Sequence, residues 1–153
     1  MKHLLLSLLL CLGLCTANAQ NAIFTKYSEA NNTQYVSITS SMLKLMGNKS
    51  ATINGVHIDG MTDALRSVLI ISSEDNTIMT RMSIDFLELR ENPDYEVLME
   101  ISNNNERITT LINNGKEVKE VVMSIHTLNK ERTFIVLTGV FTDEQLKKLF
   151  GNM

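Results

Sequence analysis

Cysteine stops early in this chain: Cys11 and Cys15 are the only two, and nothing after them carries a thiol. If the N-terminal segment is removed, disulfides, thiolate metal sites and cysteine nucleophiles are all excluded from the remainder. Proline occurs once, at Pro93, and glycine only seven times, so ordered elements should dominate. No low-complexity linker or internal repeat divides the chain. Tryptophan is missing altogether, and Tyr27, Tyr35 and Tyr95 all fall at core positions, which leaves no aromatic platform for stacking on sugars. A basic excess is lacking too. Lys and Arg number 14 against 17 acids, a formal charge of −3, which argues against nucleic acid as a partner. After Leu14 no apolar run is long enough to span a bilayer.

What is present begins with an export signal. Met1-Lys2-His3 supplies a positive start, Leu4 to Leu14 an apolar core, and Ala17-Asn18-Ala19 a cleavage triplet. That core is too short to span a membrane, which takes roughly 20 residues. The expectation is a signal peptide over residues 1–19, cut between Ala19 and Gln20, with a single domain over residues 20–153. The alternative is acylation at Cys15, which would anchor the protein to the outer membrane. Bulky leucines precede both Cys15 and Cys11, where lipoprotein signals want small residues, so cleavage after Ala19 is favoured. The processed chain loses Lys2 and becomes one unit more acidic. It has to hold together by its core alone, and its length suffices for one.

Along the processed chain, Ala22 to Ser28 reads as a short helix with Ile23, Phe24 and Tyr27 on one side, broken by Asn31-Asn32. Gln34 to Thr39 alternates as a strand. Ser40-Ser41 can cap a helix over Met42 to Met46 that Gly47 ends. Residues 48–60 are ambiguous beyond a short extended piece, Val56-His57-Ile58. Met61 to Arg66 makes one or two helical turns, and Ser67 to Ser72 is a buried strand. Residues 76–91 satisfy a helix (Met79, Met82, Phe86, Leu89) and nearly a strand. Length, the acids Glu74 and Asp75 and the stop at Asn92-Pro93 favour the helix.

After Pro93, Tyr95, Val97, Met99 and Ile101 face one way and Glu96 and Glu100 the other. Strands follow over Arg107 to Ile112, Lys116 to His126 and Thr133 to Val140. Asn114-Gly115 predicts a tight hairpin turn, with Gly115→Val disrupting it, and Asn129-Lys130 turns again. Thr142 and Gln145 fit a capping box opening the helix Asp143 to Phe150. The expected class is α+β: an antiparallel sheet built on a C-terminal four-strand meander, with helices covering one face.

Chemistry is sparse. His57 and Asp59 share one side of an extended segment, but two groups fall short of the three or four ligands of a zinc site. Ser124 and His126 share a strand face, a pairing common by chance. Glu96 and Glu100 would lie roughly 13 Å apart on one face, beyond the roughly 5 to 10 Å of a glycosidase pair. Asp59-Gly60 lacks the alternating oxygen ligands of a calcium loop, and no glycine cluster cradles a phosphate. Met42, Met46, Met61, Met79, Met82 and Met99 suggest an adaptable apolar groove, although methionine at such spacing is usually core. No catalytic, cofactor or metal residue is assigned.

Phe24-x-x-Tyr27-Ser28, YVSITSSMLKLM (Tyr35 to Met46), YEVLME (Tyr95 to Glu100) and Gly139 together resemble an uncharacterised family of exported Bacteroidetes proteins, the domain of unknown function 4252. The resemblance runs from about Ile23 to Phe150 and rests on the order and spacing of these blocks. The family is richer in Lys, Glu and Ala where residues 76–91 stand, so it supports that helix by position and not by composition. It implies no catalytic or binding residue. Its members often lie beside genes for extracytoplasmic sigma factors and their inhibitors, which implies an envelope-signalling setting.

Together these readings favour a small exported, non-catalytic binding module of the bacterial envelope, most readily periplasmic. Its partner would be an envelope protein or a small apolar ligand. The alternatives are an enzyme whose site is assembled only in three dimensions, or a structural subunit joined through a sheet edge.

Overall fold

The computed structural model describes residues 23–47, 52–53, 56–58, 60–115 and 117–150. These fall into two units, one ending at Asn31 and the other starting at Asn32. In the first, residues 23–25 are helical and run into a 3-10 turn, Lys26–Glu29, with Phe24 and Tyr27 buried. Ser28 Oγ donates to the Thr25 carbonyl at 2.8 Å, and Lys26 Nζ lies 5.5 Å from the Tyr27 ring centre. Ala22 lies outside the described residues.

The second unit is built on a six-stranded, wholly antiparallel sheet. β1 (Gln34–Thr39) leads directly into α1 (Ser40–Met46). Contrary to the expectation from sequence, Ser40 and Ser41 do not cap this helix; they form its first turn, and Thr39 holds the cap position without a side-chain hydrogen bond. Gly47 does end it, at a φ of 67° that suits glycine, with open space around its Cα. A two-stranded ladder follows, β2 (Thr52–Ile53) against β3 (Val56–His57), which accounts for the extended piece expected there. Met61 to Arg66 is not helical: a turn closes on the Met61 and Ile58 carbonyls, and β4 (Leu65–Ser73) begins immediately. The pull is towards the sheet, because Val68 to Ile71 are buried in succession and can be so only with both sheet faces covered.

α2 (Asn76–Glu91) is the helix expected over residues 76–91. Asp75 starts it, its Oδ1 accepting from the Thr77 and Ile78 amides at 2.9 and 3.0 Å. Then come β5 (Tyr95–Ser102), β6 (Glu106–Asn113), β7 (Lys119–Thr127) and β8 (Glu131–Gly139), the anticipated meander. The chain closes with α3 (Asp143–Phe150). Its capping box is reciprocal: the Gln145 amide donates to Thr142 Oγ1 at 3.2 Å, and the Thr142 amide to Gln145 Oε1 at 3.0 Å.

Strand order is β1-β4-β8-β7-β6-β5. β4 and β5 stand four places apart and run in the same direction, so the link between them has to be a crossover, which α2 provides. Phe86 of α2 stacks on Phe134 of β8, ring centres 5.8 Å apart. Alternation sends the neighbouring Ile135 and Leu137 to the other face. There they join Leu43 of α1 and Leu146 and Leu149 of α3 in one buried cluster. Helices therefore cover both faces of the sheet, not one. β4 and β8 are apolar at consecutive positions, and one-sided cover would leave half of those residues in water.

Two further local expectations fail. Asn114-Gly115 is not a tight turn: Asn113 pairs with Glu120, so the hairpin closes through residues 114–119, and Gly115 is not at positive φ. A two-residue turn would set Ile112 and Thr110 opposite Glu117 and Lys119. The observed register sets them opposite Val121 and Met123, and apolar burial outweighs turn propensity. Secondly, a bulge between Val97 and Met99 breaks the alternation of β5. Met99 and Ile101 turn to the face opposite Tyr95 and Val97.

Candidate functional site

Register on the α2 face aligns side chains that are far apart in sequence. Arg107 of β6 lies directly across from His126 of β7, and His126 directly across from Arg132 of β8. Three basic residues thus stand side by side on adjacent strands, with Cβ atoms roughly 5 Å apart. α2 overhangs them with Ser83, Phe86, Leu87 and Arg90, and Thr109 and Ser124 form the floor of a pocket of about 170 Å³.

Its polarity is one-sided. Among the described residues no carboxylate lines this pocket. Arg90 is neutralised by Glu100 at 3.0 Å, whereas neither Arg107 nor Arg132 forms an ion pair among the described residues. Arg132 donates from one terminal nitrogen to Ser124 Oγ at 3.2 Å, and its Nε is buried with no hydrogen-bond partner. Burial, then Arg132 and Arg107, lower the proton affinity of His126 and so favour the neutral imidazole. The two guanidinium groups can only donate, and Arg132 Nε is left without an acceptor.

A second polar row crosses the other end of the same face, roughly 20 Å away along β7. Tyr95, Asn113 and Glu120 are successive cross-strand partners, all buried. The Tyr95 hydroxyl donates to Glu120 Oε1 at 2.5 Å. Burial raises the proton affinity of Glu120, and the Tyr95 hydrogen bond offsets part of that. Burial, and then the Glu120 carboxylate, push the Tyr95 phenol well above its ordinary range.

Of the residues weighed from sequence, Ser124 and His126 do line one pocket, but the Ser124 hydroxyl is bonded to Arg132. Glu96 and Glu100 do not share a face. The bulge turns Glu100 towards Arg90 and leaves Glu96 on the opposite side, beside Leu98, Met99, Leu146 and Phe150 in an apolar groove of about 590 Å³. The methionines make no common groove: Met61 and Met82 are buried on opposite sides of the sheet, Met42 is exposed, and Met99 alone of the six lines the groove. His57 pairs with Thr52 through the backbone; its side chain, Asp59, Cys11, Cys15, Ala19 and Gln20 lie outside the described residues. Among the described residues no group of three or more acids and histidines is placed to hold a metal.

Sequence reasoning missed Arg107 and Arg132, each of which looks like an ordinary charged strand end. The available signal was their position: each is the second residue of its strand, with His126 next to last in the strand between, so two short hairpins bring them to one height.

No curated protein matches the chain. A family model matches residues 27–149, nearly all of the described structure, and on that match the chain belongs to the family described as a domain of unknown function, DUF4252.

Proposed function

We propose that this protein is a small exported, non-catalytic binding module of the cell envelope of a Bacteroidetes bacterium, linked to envelope signalling, and that it binds through the Arg107–His126–Arg132 row. One observation carries the reading. The pocket gathers the Arg107 and Arg132 guanidinium groups with no carboxylate among its described lining residues, an arrangement suited to holding a group of opposite charge. Export is supported by the order of positive start, apolar core and Ala17-Asn18-Ala19 triplet. Among the described residues, no helix is long and apolar enough to cross a membrane.

A second reading rests on the groove between β5 and α3, whose Leu98, Met99, Ile112, Leu146 and Phe150 offer a surface for an apolar ligand. The groove and the arginine row lie on opposite faces, so one experiment separates them. Crosslinking in the native host should retrieve one envelope protein in stoichiometric yield. Loss of that partner with Arg107→Glu and retention with Leu98→Asp supports the arginine row; the reverse supports the groove. The intact mass of the protein from its host tests export. A chain beginning at Gln20 is expected, and one beginning at Cys15 with acyl chains would place the protein at the membrane.

A further inference from the structure

We infer that the Arg107–His126–Arg132 row is a binding site for a compact oxyanion, a phosphate or carboxylate group carried on a small ligand, seated between the two guanidinium groups. The inference rests on the proposal that this pocket is where the module binds, and it names the chemistry of what binds there.

Like charges gathered within one pocket repel one another unless a counter-charge lies between them. Here Arg107 and Arg132 flank one residue across three adjacent strands, and the acids nearby do not relieve them. Glu100 is engaged by Arg90, and Glu120 is held by Tyr95 at the far end of the face. The two guanidinium charges are therefore unbalanced by any acid among the described residues of the pocket. A buried guanidinium N–H without an acceptor is rare in folded proteins, and Arg132 Nε is one. An oxyanion supplies what both observations call for, a negative charge with several acceptor lone pairs matched to the planar guanidinium fork.

Size narrows the class. The pocket, about 170 Å³, holds the equivalent of roughly five to six waters. That accommodates a phosphate or carboxylate with a few further atoms, and it is below the roughly 300 Å³ at which drug-sized ligand pockets begin. The hydroxyls of Thr109 and Ser124 offer additional contacts, while Phe86 and Leu87 wall the site with apolar surface that strengthens charge pairing. The neutral His126 can donate from its protonated nitrogen, and a bound anion would restore part of its proton affinity, since the arginines that lower it would then be compensated.

The purified chain is to be titrated with inorganic phosphate and, separately, with acetate, at constant ionic strength held by sodium chloride. The unfolding midpoint and the imidazole NMR signals of His126 are followed. Saturable stabilisation by either anion, with a coincident shift of His126, is expected; phosphate alone or acetate alone identifies the group. Arg107→Met and Arg132→Met should each weaken binding by about tenfold or more, and Lys147→Met on the opposite face should leave it unchanged. Both arginine variants should fold, with midpoints in chloride close to that of the parent, because neither side chain is buried and each substitution removes one of two like charges. No saturable binding by either anion, or equal weakening by Lys147→Met, overturns the inference. Partner capture that needs both arginines while neither anion binds also overturns it, and leaves the binding-module reading standing. Anion binding with the arginines dispensable for capture does the converse.

Discussion

Glu120 shows how one buried side chain couples this fold to pH. Its proton affinity is raised by burial, so the native state holds that proton more tightly than the unfolded chain does. The stability this confers is complete below the ordinary carboxylate range and is lost as pH rises through the raised value. Glu120→Gln keeps an oxygen able to accept the Tyr95 hydroxyl and carries no charge. The variant should therefore lose this part of the pH dependence and unfold at a higher temperature than the parent at neutral pH. Thermal unfolding between about pH 4 and pH 8 checks this, and parallel profiles for the two proteins would show that another group is responsible. His126 acts in the opposite sense: its lowered proton affinity contributes stability above its ordinary range that is lost as pH falls through the lowered value. Neither effect could be read from the sequence, where Glu120 is one of 17 acids and His126 an ordinary strand-end histidine. Both arise from groups on other strands.

Among the elements, the β6–β7 hairpin separates local preference from tertiary demand. Asn114-Gly115 is a strong turn signal, yet the connection is longer and Gly115 serves another need. A Cβ placed on it would run into the Val118 carbonyl oxygen. The two explanations make different predictions for Gly115→Asn. Asparagine tolerates positive φ and would be accepted in a tight turn, but it carries a Cβ that cannot fit against Val118. The observed geometry predicts destabilisation by about 1–3 kcal/mol, read from chemical denaturation; an unchanged midpoint would restore the tight turn. At the start of α3 the local signal and the structure agree. The Thr142–Gln145 box starts α3 as expected, because a cap depends only on residues within three or four positions. Glu74 and Asp75, expected in the first turn of α2, precede it instead, and Asp75 serves as its cap. The β5 bulge was not legible, since the alternation of Tyr95, Val97, Met99 and Ile101 looks regular until β6 is laid beside it.

For the molecule as a whole, the consequence is a sheet buried on both faces, with the helix that covers one of them also roofing the arginine pocket. Phe134, fully buried beneath Phe86, ties that helix to the sheet. Phe134→Ala should cost about 3–5 kcal/mol. Val97→Ala, on the same face but 46 % exposed, should stay within roughly 0.5 kcal/mol. Comparable losses for the two variants, measured by equilibrium unfolding, would mean that α2 is not anchored through Phe134. The placement of α2 follows from strand order, because a crossover between β4 and β5 has to traverse the strands lying between them.

Sequence alone settled the periodic and the local: the α+β class, the four-strand meander, the helix over residues 76–91 and the capping box of α3. Each of these is written in neighbours a few residues apart. The tertiary structure alone decided the register of β6 on β7, the bulge in β5, the covering of both sheet faces and the alignment of Arg107, His126 and Arg132. The physical reason is common to all four. Strand register is set by the summed burial of apolar pairs across the sheet, and a polar row that spans three strands exists only once that sum has chosen which residues stand opposite one another.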